Sequence, residues 1–136
     1  MTRGERNNNP LNIRRSKAQW LGMRDFPTDK QFCEFQNITW GFRAAFILLS
    51  TYYLKHKCCT IRQVITRWAP PSENNTANYI DVVCSATHLR PDDLLPAPLK
   101  DMNTWCAIVR AMAKMECGKW WPISVVAAGW HLATRK

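Results

Sequence analysis

The apolar residues of this chain recur mostly at helical spacing, with proline, glycine and small polar residues between the runs. From Gly41 onward, Phe42, Ala45, Phe46, Leu49 and Tyr52 or Tyr53 make one stripe, which predicts a helix. Thr60 can cap a second helix over residues 61–68, ended by Pro70-Pro71. Thr76 can cap a third over residues 77–87, with Tyr79, Ile80, Val83 and Cys84 inward. Residues 90–98 form a proline-rich connection. Asn103 or Thr104 can then start a helix whose face carries Trp105, Ile108, Val109, Met112 and Met115, with Gly118 as a left-handed stop. Pro122 can open a last helix through residue 133, with Ile123, Val126, Ala127, Trp130 and His131 facing in. Residues 1–40 show no such period; residues 20–22 and 32–35 read as short strands or hairpin arms. These elements predict a mainly α fold: a helical globule with a small irregular or β N-terminal lobe, one domain over residues 1–136.

Composition changes this picture in three ways. The 136 residues carry a formal net charge of +9, and residues 1–24 hold Arg3, Arg6, Arg14, Arg15, Lys17 and Arg24 against Glu5 alone. Such a surface attracts polyanions: nucleic acid, anionic membrane or anionic cell wall. No recognised nucleic-acid module accompanies the charge, so no specific nucleic acid is expected as a partner. The longest apolar run, residues 44–54, is broken by Ser50 and Thr51 and falls short of the ~20 residues of a membrane span, so no transmembrane segment is expected. Six cysteines include adjacent Cys58 and Cys59 and no CxxC, and Met1 to Asn9 is polar rather than signal-like. These features predict reduced, mostly structural thiols in a protein made in the cytoplasm without a signal peptide. His56, Cys58, Cys59, Cys84 and His88 match no zinc module, so neither metal nor cofactor is expected.

Glu116 is the leading candidate for chemistry. It lies four residues after Met112 and seven after Val109, on the apolar face and at the negative end of its helix, with Trp120 and Trp121 expected beside it. Burial and the helix C-terminus both disfavour the carboxylate. A carboxyl group kept neutral near pH 7 is what a general acid requires. A helix-end glutamate in a salt bridge or in water is the commoner use of such a position.

Two polar loops stand out. Asn7, Asn8, Asn9 and Asn12 offer amides that both donate and accept, as sugar hydroxyls require, and they also stabilise turns. In Arg67-Trp68-Ala69-Pro70-Pro71-Ser72-Glu73-Asn74-Asn75-Thr76, a rigid turn follows Trp68. Glu73 there either favours the next helix N-terminus or acts as a second carboxylate.

Five segments together carry a resemblance: Arg6-Asn7-Asn8-Asn9-Pro10-Leu11-Asn12-Ile13-Arg14, Trp40-Gly41-Phe42-Arg43-Ala44, Thr60-Ile61-Arg62, the Arg67-to-Thr76 segment, and Glu116-Cys117-Gly118. They resemble a phage and prophage family of virion structural or lysozyme-like proteins, similar to lytic transglycosylases and flagellar glucosaminidases. The chain departs from that pattern at Leu11, where glycine is usual, and at Cys117, where asparagine is usual. Glu5 has no regular acidic counterpart, which weakens it as a catalyst. The Asn segment precedes the glutamate here and follows it in those enzymes, so the resemblance implies a circular permutation.

The resemblance implies an α+β lysozyme-like domain that cleaves peptidoglycan glycan strands at the cell wall or periplasm, or as part of a phage particle. Glu116 would be the catalytic acid, with Glu73 as the second catalytic candidate. Asn7, Asn8, Asn9, Asn12, Trp68, Asn74 and Tyr79 would hold the strand. A lysozyme-like virion component without catalysis, with virion assembly partners, is the competing expectation, because fold does not guarantee activity.

Overall fold

A computed structural model describes residues 1–135, and six helices account for nearly all regular structure among them. They are α1 (Arg3–Arg6), α2 (Ile38–His56), α3 (Ile61–Trp68), α4 (Thr76–Thr87), α5 (Met102–Cys117) and α6 (Ile123–Thr134). The expected mainly helical fold is borne out. The expected hairpin arms reduce to two isolated antiparallel bridges, Arg14 with Phe32 and Met23 with Phe35. Scattered main-chain bonds, such as the Cys33 amide to the Ile13 carbonyl and the Arg24 amide to the Glu34 carbonyl, join side-chain bonds in shaping this lobe without a continuous ladder.

Short polar side chains set most helix starts. Thr60 caps α3 as expected, accepting from the Gln63 amide. Three starts differ from expectation. Asn37 caps α2, accepting from the Trp40 amide, so this helix begins before Gly41. Asn75 caps α4 in place of Thr76, whose buried hydroxyl donates to the Ala69 carbonyl at 2.5 Å. Asp101 caps α5 in place of Asn103 or Thr104, its carboxylate accepting from the Thr104 amide at 3.0 Å. At the far end Gly118 takes φ 73, and its amide closes on the Lys114 carbonyl. Glycine adopts that left-handed stop without a steric penalty.

The long helix α2 runs along α6, while α5 lies between α4 and α6 and α3 packs on α4. Phe42, Phe46, Leu49, Ile65, Val83, Trp105, Ile108 and Met112 form the buried centre. Ile123 and His131 were expected to face in, but both are exposed. α6 meets the core through Val126, Gly129 and Ala133. His131 lies on the opposite side of that line, and Ile123 stands in the first turn at its edge. The proline-rich connection is pinned by three donors: Trp105 Nε1 to the Pro96 carbonyl, Trp130 Nε1 to Pro98 and the Tyr53 hydroxyl to Leu95, at 2.7, 2.9 and 2.9 Å. No helix among the described residues is long and apolar enough to cross a membrane.

Candidate active site

Glu116 occupies the last turn of α5, where main-chain carbonyls have no helical partner. Asn12, held at φ 51, meets both needs of that turn. Its amide lies 3.2 Å from the Glu116 main-chain carbonyl and 3.2 Å from Oε1. The second carboxyl oxygen, Oε2, accepts from the Tyr79 hydroxyl of α4 at 3.0 Å. Three distant segments thus converge on one half-buried carboxyl group.

Burial pushes the Glu116 carboxyl above the ordinary range, opposed by the bonds from Asn12 and Tyr79 and by the charge of Arg14. Burial, and then the charge and hydrogen bond of Glu116, hold the Tyr79 phenol well above its usual value, so it stays a donor. Burial also pushes the neighbouring Cys117 thiol up to about 11. Cys117 Sγ lies 3.3 Å from the Pro10 carbonyl, as a structural contact. Gly4 of α1 permits this crowding: a Cβ there would meet Cys117 Sγ and Asn12 Oδ1. The pattern of the sequence singled out neither Gly4 nor Arg14 for the site, although Arg14 stood in the resembling segment.

The asparagine loop splits between structure and site. Asn9 is fully buried; its side chain bonds the Ile13 amide and the carbonyls of Ile13 and Cys33. Asn7 is 5% exposed and donates to Asp29 at 2.9 Å. Asn8 is half-buried and donates to the Phe35 carbonyl. Of the four amides, only that of Asn12 reaches Glu116. Trp68 uses its Nε1 on the Leu11 carbonyl at 3.3 Å and packs against Tyr52. Asn74 is exposed and donates to the Pro70 carbonyl. Glu73 is exposed too, 4.0 Å from the Arg14 guanidinium. Tyr79, expected to hold the strand, is 5% exposed, and its hydroxyl donates to Glu116.

Trp120 and Trp121 were expected beside the carboxylate. Trp121 turns inward and meets Phe42 edge-on with ring centres 5.7 Å apart. Trp120 lies exposed under the Arg110 guanidinium and lines a concavity with Asp81, Val82, Ser85 and Ala86. The left-handed turn at Gly118 redirects the chain before either ring. Two larger concavities open elsewhere, one of about 540 Å³ in the loop from Arg15 to Cys33 and one of about 480 Å³ beside α3; Glu116 lines neither. Among the described residues no group of three or more His, Cys, Asp or Glu side chains is placed to hold a metal ion.

Protein P5 of Pseudoalteromonas phage PM2 is 40% identical to this chain over 119 residues, which cover 85% of the chain and 71% of that protein. The chain belongs to the P5 family. It is therefore a homologue of a bacteriophage protein, in line with the phage resemblance of its motifs. No protein-family model matches it.

Proposed function

We propose that this P5-family chain cleaves peptidoglycan glycan strands, with Glu116 as the general acid, on a domain of lysozyme-like kind. One observation carries the reading. A half-buried glutamic acid at a helix C-terminus is pushed toward its neutral form while a tyrosine hydroxyl at 3.0 Å and an asparagine amide at 3.2 Å orient it. Protonated Glu116 would donate to the glycosidic oxygen as the bond to the sugar ring breaks. The carboxylate left behind would take a proton from a hydroxyl of the same sugar, whose oxygen then closes an anhydro ring. This transglycosylase route requires no second carboxylate; hydrolysis would need one, for which Glu73, exposed and 4.0 Å from Arg14, is the candidate. The net positive surface suits an anionic envelope, and that attraction weakens with salt. The place of action that follows is the cell wall, reached by the phage particle or after synthesis in the host.

Mass spectrometry of digested wall tests the route. Anhydro ends are expected from the native protein, and none from Glu116→Gln. Reducing ends would replace transglycosylation with hydrolysis. A folded Glu116→Gln protein that lyses wall at the native rate would remove Glu116 from the mechanism.

A second reading, a virion component of the same shape without catalysis, is favoured by one feature. Both Glu116 oxygens already have protein partners, and the larger concavities lie elsewhere. Stable incorporation into particles together with inertness on purified wall would decide for it.

A further inference from the structure

Where α2 ends, Lys57 takes φ 56 and turns the chain toward α3. A concavity of about 480 Å³ opens there, lined by His56, Lys57, Cys58, Arg62, Gln63, Thr66 and Arg67. Among the described residues no carboxylate lines it. Arg62 is neutralised by Asp92 at 2.9 Å, whereas Lys57 and Arg67 make no ion pair among the described residues. Arg67 rests over the Tyr52 ring, 5.1 Å from its centre, which fixes the guanidinium beside the cavity. The neutral groups add donors. Gln63 Oε1 accepts from the Cys59 amide at 2.9 Å, which leaves its NH2 group free to donate, and the Thr66 hydroxyl rotates to suit.

We infer that this concavity is an anion site that takes a phosphate group, free or carried on a small molecule, with Arg67 as its principal ligand and Lys57, Thr66 and Gln63 as further donors. Phosphate oxygens are strong acceptors, and arginine binds them through a planar fork of N–H donors. The local field agrees: burial, and then the charges of Arg67 and Lys55, hold His56 below its ordinary value. The cavity exceeds one phosphate and falls within the range of small-ligand pockets, so it has room for an organic remainder. The site is separate from Glu116 and stands whether or not the chain cleaves glycan.

Isothermal titration calorimetry of the intact protein at low ionic strength tests it, with inorganic phosphate and glycerol phosphate as probes and chloride at matched ionic strength as control. Both phosphates should bind and chloride should not. Arg67→Gln should weaken binding by about tenfold or more, and Lys57→Gln by a smaller factor. In proton NMR titrations, bound phosphate should raise the His56 pKa. Tighter binding of glycerol phosphate than of phosphate would identify a carried phosphate; equal binding would identify the free ion. Unchanged affinity in a folded Arg67→Gln protein, or equal heats from chloride, would overturn the assignment.

Discussion

The surroundings of buried Glu34 and half-buried Glu116 drive these two glutamic acids in opposite directions. Glu34, in the N-terminal lobe, is 4% exposed. Burial pushes its carboxyl up, but the amides of Asp29 and Thr28 and the Arg24 guanidinium outweigh that push and hold it below the ordinary range. Beside it, the bidentate bond from Arg3, with further bonds from Phe32, Asn7 and Gln31, holds Asp29 far below the usual carboxylate range. Glu116 receives one amide and one hydroxyl, both neutral, and no ion pair among the described residues. There burial prevails and the carboxyl is pushed up. The difference lies in the number and charge of the donors, not in burial as such. Carboxylates of the first kind stitch a lobe without strands; an acid of the second kind is available to give up a proton.

The largest expected effect separates these two kinds. Glu116→Gln should lower wall lysis by at least about a hundredfold to ten-thousandfold, the usual worth of a general acid. The same change should leave the protein folded, since Gln accepts from Asn12 and the Tyr79 hydroxyl can accept from its amide. Stability should carry the opposite signature. A carboxyl raised in the fold contributes stability that is complete below its unfolded value and is lost as pH rises through the raised one. Relative to Glu116→Gln, the native protein should therefore lose melting temperature as pH rises through that range. An unchanged difference across pH would mean that Glu116 titrates as it does in the unfolded chain.

Glu34→Gln should do the reverse. It breaks charge-assisted bonds to buried donors, at about 1–3 kcal/mol, with little direct effect on chemistry. A carboxyl lowered in the fold contributes stability above its unfolded value, lost as pH falls through the lowered one. The melting difference between native protein and Glu34→Gln should shrink in acid. A variant as stable as the native protein at neutral pH would show that the lobe does not depend on this carboxylate.

The contrast between the two glutamates was only half legible in the sequence. The apolar period from Trp105 to Met115 and the stop at Gly118 are local, so α5 and the face of Glu116 could be read from spacing. Its partners could not. Asn12 lies 104 residues away, and no local rule links them. Tyr79 showed itself as an inward residue of α4, but that its hydroxyl ends on Glu116 depends on how α4 packs against α5. Where Trp120 and Trp121 point was hidden for a related reason, because it follows from the turn at Gly118. The Asp29 and Glu34 hub gave no periodic signal, since its bonds run mostly to amides and arginines of irregular chain.

Smaller in size, but sharper for mechanism, is the effect expected at Tyr79. Its hydroxyl favours the charged form of Glu116, so Tyr79→Phe removes one force that lowers the carboxyl. A general acid works protonated, and activity falls as pH rises through its pKa. The alkaline limb of the lysis profile should move to higher pH in Tyr79→Phe, while the reaction products stay the same. A limb that does not move would assign that limb to another group.

The smallest effect is expected at Glu73. It is exposed, its contact with Arg14 spans 4.0 Å, and exposed pairs of this kind contribute roughly 0–1 kcal/mol. Arg14 nevertheless lowers the Glu116 carboxyl by its charge, so freeing it from Glu73 can only strengthen that pull. If Glu116 acts alone, Glu73→Gln should cost less than about fivefold in lysis and shift the alkaline limb slightly to lower pH, against the direction expected for Tyr79→Phe. If Glu73 is the second carboxylate of a hydrolase, the same variant should be almost inactive at every pH. That outcome would turn the comparison from one acid against a structural pair into two acting carboxylates with Arg14 between them.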